Sequence, residues 1–318
     1  MPRAAIVGNT TWGNTLGALL SNNGVTVTLW TRSESEAEQL NQEKHSYTST
    51  DDIAEAVGDA DLLILAVPSQ KLRENINRVK HHLSRGTILM SAAKGLETES
   101  GKRMSQIIEE EVAPSLRKKI CVLSGPNLAR EISQGLPAAS VIAAQDTAVA
   151  RKAKKLLQSP RFLIFTTDDV IGVELSGALK NIAALGAGVI DGLKLGDNAK
   201  AAFIALNWNE AVSLGITLGA RSETFYGVAG LGDLIATCAS TLSRNHYVGY
   251  KLAEGYSLAE ISASMPQIAE GVTTTMAVHR LNQKLGIKAP LTELVYRILF
   301  EGLSPAKMAT RLRKLIES

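Results

Sequence analysis

Short apolar runs alternate with amphipathic stretches through the first half of the chain, and the alternation stops near residue 170. Runs at 4–7 (AAIV), 25–30 (VTVTLW), 62–67 (LLILAV), 87–91 (TILMS), 120–124 (ICVLS), 139–144 (ASVIAA) and 162–166 (FLIFT) read as strands. Between them apolar positions recur every three or four residues. Leu72, Ile76, Val79 and Leu83 share one helix face; Val149, Ala153, Leu156 and Leu157 share another, behind an N-cap at Asp146. Strands alternating with helices predict a parallel sheet with right-handed crossovers. Several strands are apolar throughout, as burial on both faces requires.

Residues 174–318 read as helix after helix, joined at the glycine-bearing turns DGLKLGDN, YGVAGLGDL and KLAEGYS. A domain boundary near Gly172 follows. The expected fold is α/β. A Rossmann-like parallel-sheet domain is expected over 1–172 and an all-helical domain over 173–318. The last residues, ATRLRKLIES, read as a solvated terminal helix.

Composition narrows the class. At 318 residues the chain is long enough for two domains, and 45% hydrophobic with 20% charged residues is ordinary for a globular protein. A formal net charge of +3 is too small to argue for nucleic acid. The two cysteines, Cys121 and Cys238, are far apart, which excludes a disulfide framework or cysteine zinc site and suits a reducing cytoplasm. The start MPRAAIVGN reads as a strand rather than a secretory leader. No uninterrupted apolar run of about 18 residues occurs, so no membrane insertion is expected. His246 and His279 have no partners at metal-ligand spacing, and no metal is expected.

The candidate chemistry sits in loops that follow strands, where open α/β sheets bind ligands. After the first strand comes GNTTWGN, in which Gly8 and Gly13 fit the ends of a dinucleotide fingerprint but Thr10 stands at its middle glycine. A helix start there offers N–H groups to a pyrophosphate; the alternative is a structural turn. Threonine tolerates positive φ poorly. The expectation is therefore a working site with a cost, in which Thr10→Gly tightens NADPH binding a few-fold unless the hydroxyl itself donates to phosphate. The second strand ends at Arg32 rather than at an acidic residue. An arginine suits a 2′-phosphate and favours NADP(H); otherwise it is a solvated strand-end charge. Lys94, in SAAKGLE, lies between small residues and before a glycine.

In the helical half, Lys180 and Asn181 fall within ELSGALKNIAALGAGVIDGL, a pattern apolar or small nearly all round. Ser176, Gly177, Ala183 and Ala184 clear space about the lysine, which makes it a candidate acid/base; the alternative is a lysine that reaches the surface along its stem. Asp233 either orients a lysine, accepts from a substrate hydroxyl, or caps a helix. Ser243, Arg244 and Asn245 stand at a helix start, where a guanidinium and N–H groups together suit a phosphate.

Together AVPS, AAKGLE, SGPNLAREI, ELSGALKNIAALGAGVIDGLKLGDNAKAA, TFYGVAGLGDLIATCASTLSRN and AEGVTTT closely resemble the bacterial type of glycerol-3-phosphate dehydrogenase [NAD(P)+] over nearly the whole chain. The resemblance implies interconversion of dihydroxyacetone phosphate and sn-glycerol 3-phosphate for phospholipid synthesis, with NADPH/NADP or NADH/NAD, in a cytoplasmic homodimer. It makes Lys180 the proton donor/acceptor and Lys94 a contact of both substrate and cofactor. Gly125, Asn127, Asp233, Ser243, Arg244 and Asn245 match the substrate set. Thr11, Trp12, Arg32, Ile268 and Glu270 match cofactor contacts, Arg244 lies near the cofactor, and Ala129 matches the loop lining the site; Gly8, Thr10 and Gly13 are cofactor candidates from the glycine turn itself. Three departures stand out: Thr10; a shortened segment around Tyr47, which receives no role; and Leu206, where the family commonly has arginine. The alternatives are a related two-domain hydroxy-acid or keto-acid dehydrogenase, or a non-catalytic NAD(P)-binding regulator.

Overall fold

The computed structural model describes residues 1–43, 45–240, 243–265, 269–308 and 310. The chain forms two compact units, one of Met1–Lys94 with Arg103–Glu174, the other of Gly95–Lys102 with Leu175–Ser318.

The first unit runs β1 (Arg3–Val7), α1 (Thr11–Asn22), β2 (Thr26–Trp30), α2 (Glu34–Gln42), β3 (Thr48–Thr50), α3 (Ile53–Val57), β4 (Leu62–Leu65), α4 (Leu72–Val79) and β5 (Ile88–Ser91). It continues with α5 (Met104–Glu111), α6 (Pro114–Arg117), β6 (Ile120–Ser124), α7 (Ala129–Ser133), β7 (Ala138–Ala143), α8 (Thr147–Leu157) and β8 (Phe162–Thr167). The strands form one sheet in the order β3-β2-β1-β4-β5-β6-β7-β8. β1 lies between β2 and β4, with Ile6 opposite both Leu29 and Ile64. That reversal of strand order is where α/β sheets open a ligand crevice.

Alternation along the strands explains their apolar runs. Ile6, Ile64, Met90 and Leu123 pack with Leu16, Leu20 and Val149 on one face of the sheet. Val7, Leu63, Leu65 and Leu89 pack with Leu72, Ile76 and Ile107 on the other. Asp146 caps α8 as expected, accepting from the Ala148 N–H.

Two expectations need correction. β7 runs antiparallel to β6, so the sheet is not wholly parallel, although β7 and β8 are parallel to each other. Periodicity encodes which face a side chain takes, not strand direction. A short strand, β3, pairs with β2 in the segment where none was expected. It is three polar residues with only Ser49 buried, too little to make a pattern. β8 is an edge strand with Phe162 and Ile164 turned in and Leu163 and Phe165 about half exposed.

The second unit is helical in its described residues: α9 (Val170–Gly192, whose first turn belongs to the other unit), α10 (Asp197–Thr217), α11 (Ser222–Tyr226), a π-turn at Val228–Gly232, α12 (Asp233–Ala239), α13 (Arg244–Ala253), α14 (Leu258–Ser264), α15 (Glu270–Leu285) and α16 (Pro290–Phe300). Residues 95–102 join it; the Thr98 carbonyl accepts from Arg280 at 3.1 Å. The segment ATRLRKLIES lies almost wholly outside the described residues. α9 is long and apolar enough to cross a membrane, with a mean hydropathy of 1.3, yet 89% of that stretch is buried inside the protein. It is a core helix, apolar because other helices surround it.

α13 crosses α9 at close range. A Cβ on Gly188 would lie 2.0 Å from the His246 carbonyl oxygen, and one on Gly249 would lie 1.9 Å from that of Leu185. The two backbones touch there because neither position carries a side chain.

Candidate active site

The glycine turn after β1 needs both close contact and a backbone conformation open to glycine. Gly8 has φ +123°, and a Cβ there would lie 2.5 Å from the Ala66 oxygen. One on Gly13 would lie 2.2 Å from the Gly8 oxygen. Thr10 overturns the strain expected of it, since it is extended (φ −123°, ψ 159°) and serves as the N-cap of α1. Its Oγ1 accepts from the Gly13 N–H at 3.0 Å and donates to the Ala66 oxygen at 2.9 Å. A hydroxyl has one hydrogen, so in this arrangement it is spent on the end of β4 rather than offered to a phosphate. Thr11 and Trp12 open the helix. The Trp12 indole packs edge-on to Phe162 against the core.

Arg32 is exposed immediately after β2. Beside it stands a residue the sequence reading passed over. Glu36, in the first turn of α2, accepts from the Arg32 backbone N–H at 3.2 Å and from Asn9 Nδ2 at 2.6 Å. The signal was present as Ser33-x-x-Glu36, the pattern of a helix start; Ser33 is the N-cap of α2.

At the ends of β5 and β6, Lys94 Nζ donates to the Gly125 oxygen at 2.7 Å. Gly125 has φ +150°, and a Cβ would lie 2.9 Å from the Ala139 oxygen. Asn127 Oδ1 accepts from Ser140 at 2.5 Å, while its Nδ2 is buried with no partner among the described residues. Ser91 Oγ and Ser124 Oγ, the last residues of β5 and β6, are likewise buried and unpaired. An unmatched buried polar group costs about 1–3 kcal/mol, so this rim is suited to a polar ligand. Ala129 opens α7, its carbonyl accepting from Ser133 Oγ at 2.9 Å. Tyr47 belongs to the core, its ring against Gly17, and burial pushes its hydroxyl up to about 12.

In the second unit Lys180 is 7% exposed. Its ammonium donates to Asp233 Oδ1 at 2.8 Å and to Thr237 Oγ1 at 2.5 Å. Asp233 is buried and follows the π-turn, a distortion frequent at functional sites. Gly230 permits that turn, since a Cβ would lie 2.2 Å from the Phe225 oxygen. Thr237, one turn beyond Asp233, is the second residue that sequence reasoning did not single out; its pairing with Lys180 spans 57 positions.

Ser243 caps α13, with Oγ accepting from the His246 N–H at 3.3 Å, and Arg244 is its first helical residue. Arg244 is exposed by area, yet desolvation draws its guanidinium below the ordinary arginine value, opposed by the Glu270 carboxylate. Asn245 is buried; Nδ2 donates to Asn181 Oδ1 and Oδ1 accepts from the Gly271 N–H, each at 2.8 Å. It therefore ties α13 and α15 to the residue beside Lys180. Glu270 opens α15. Ile268 lies outside the described residues. His246 Nε2 pairs with Asp191 at 2.7 Å, and His279 pairs with Glu293 and stacks on Tyr296. Leu206 stands on the outward side of α10, 37% exposed.

A glycine-turned helix start at the switch point of a largely parallel sheet is that of a dinucleotide-binding fold. The glycine cradle and the unpaired Asn127 Nδ2 suit such a group. Residues 3–150 match the family described as NAD-dependent glycerol-3-phosphate dehydrogenase N-terminus, and residues 169–310 match its C-terminus. A glycerol-3-phosphate dehydrogenase [NAD(P)+] of Dehalococcoides mccartyi is 46% identical over 97% of this chain and 90% of its own. One from Streptomyces coelicolor is 42% identical over 95% and 94%. The crystal structure of glycerol-3-phosphate dehydrogenase from Coxiella burnetii superposes with a TM-score of 0.92 at 33% identity, covering 100% of this chain and 99% of that one. The chain belongs to the NAD-dependent glycerol-3-phosphate dehydrogenase family.

Proposed function

We propose that the chain is an NAD(P)-dependent glycerol-3-phosphate dehydrogenase that reduces dihydroxyacetone phosphate to sn-glycerol 3-phosphate for glycerophospholipid synthesis. The observation that carries this reading is the buried Lys180 ammonium on Asp233 and Thr237, in a chain matched by the family over both halves. An ammonium has three hydrogens. Two are directed to those partners, and the third is left for the ketone oxygen. Lys180 then protonates that oxygen during reduction, with Asp233 and Thr237 fixing its direction.

NADPH or NADH, when bound, supplies the hydride that goes to the carbonyl carbon. Gly8, Thr10, Thr11, Trp12 and Gly13 hold the pyrophosphate through the start of α1, with Arg32, Lys94, Ala129, Arg244, Ile268 and Glu270 as the remaining contacts. Arg244 and the capped start of α13 take the substrate phosphate, with Lys94, Gly125, Asn127, Asp233, Ser243 and Asn245 completing the set. Asn245 acts through its ties to Asn181 and Gly271, which use both ends of its amide. A cytoplasmic homodimer belongs to the same reading, supported by the family resemblance. The test is the fall in NADPH absorbance when dihydroxyacetone phosphate is added to pure protein; no oxidation of either cofactor would overturn the assignment.

A further inference from the structure

We propose that Glu36 sets the choice between the two nicotinamide cofactors, its carboxylate accepting from the adenosine ribose hydroxyls and opposing a 2′-phosphate. The inference rests on the dinucleotide reading above and deepens it. Glu36 is held at two points that belong to different strand ends: Asn9 Nδ2, in the turn after β1, and the Arg32 N–H, after β2. β1 and β2 are neighbours, with Val7 opposite Trp30, so the carboxylate bridges the carboxyl ends of both. In sheets of this topology the end of the second strand faces the ribose of the adenosine half, where an acidic residue takes the 2′-hydroxyl. This chain lacks an acid at the strand end itself, and α2 brings one there from its first turn.

The hydrogen-bond inventory gives the discrimination. A carboxylate offers about four lone-pair sites and no hydrogen. Asn9 and the Arg32 N–H occupy one site on each oxygen, leaving others for the two donors of a ribose diol. A 2′-phosphate brings acceptors and further negative charge, so it meets Glu36 with nothing to share. Arg32 is the opposing influence: its exposed guanidinium attracts the same phosphate. The two side chains make a balanced reader in which either cofactor is admitted, and removing one arm tips the choice.

The test is direct titration of NADPH and NADH into wild type, Glu36→Gln, Glu36→Ala and Arg32→Asp, by fluorescence or calorimetry, without substrate. Glu36→Gln should tighten NADPH and weaken NADH, moving the ratio of their dissociation constants by about tenfold toward NADPH. Glu36→Ala should move it the same way, and Arg32→Asp the opposite way. A ratio unmoved in both Glu36 variants, with thermal denaturation showing them folded, overturns the inference. Failure of wild type to bind either cofactor instead overturns the dinucleotide reading beneath it.

Discussion

Thr10 offers the sharpest test of how the glycine turn is built. Its hydroxyl is at once the cap of α1 and a tie to the end of β4. Removing an N-cap hydroxyl by alanine costs about 1 kcal/mol, and a half-buried neutral hydrogen bond nets about another 1 kcal/mol. Thr10→Ala should therefore destabilise the protein by about 2 kcal/mol. At roughly 2–4 °C per kcal/mol for a unit of this size, Tm should fall by about 4–8 °C. Thr10→Gly keeps a tolerable cap but loses the tie and stiffness, so it should cost about 1 kcal/mol. Because Thr10 already sits at φ −123°, glycine relieves no strain, and its NADPH binding should weaken rather than tighten. The measurements are thermal denaturation without ligand and calorimetric titration of NADPH. A Thr10→Ala protein as stable as wild type, or a glycine variant that binds more tightly, would refute this account of the turn.

Lys180→Ala should lower kcat by about 10²-fold or more while NADPH still binds; near wild-type turnover would remove it from the acid/base role. Arg244→Ala should raise KM for dihydroxyacetone phosphate by roughly 10–100-fold, the worth of a charge-assisted contact, and unphosphorylated dihydroxyacetone should be a poor substrate for both proteins. Equal use of the two ketones by wild type would contradict the phosphate site. Asp191 gives a pH dependence. Burial works to raise its pKa, but hydrogen bonds from His246 and Lys200 outweigh it and hold the carboxyl below its ordinary value. Its contribution to stability is thus present above about pH 4 and lost as pH falls through the lowered folded value. Denaturant unfolding should show wild type losing stability more steeply than Asp191→Asn across that interval; parallel slopes would count against the network.

The layered half of the fold was legible because burial on two faces leaves a strong record: Leu62 to Leu65 are apolar in succession and feed two separate cores. A cap was legible for a similar reason, since Asp146 satisfies an orphan N–H group that only a few side chains can reach. Strand direction left no such trace. The antiparallel β6–β7 pair presents the same alternation as a parallel one would. Contacts of long sequence separation were also hidden. Thr237 meets Lys180 only because α12 packs back on α9, and Glu36 reaches Asn9 only because β1 and β2 are neighbours. Thr10 was misjudged because a fingerprint read as spacing carries no dihedral angles. The structure shows that the middle position needs no left-handed conformation here.

The seam between α9 and α13 sets limits on redesign. Lys180 lies on one of these helices and Ser243 with Arg244 at the start of the other, so their spacing is fixed where Gly188 and Gly249 let main chain meet main chain. Most contacts can be retuned by exchanging one side chain for another. This one has no side chains to exchange, and any replacement acts as a wedge that shifts a whole helix. An engineer seeking to admit a longer substrate has a coarse lever here. Gly188→Ala would displace the end of α13 proposed to take the substrate phosphate without altering a single residue proposed to touch substrate, and would strain the Asn245–Asn181 tie in the same stroke.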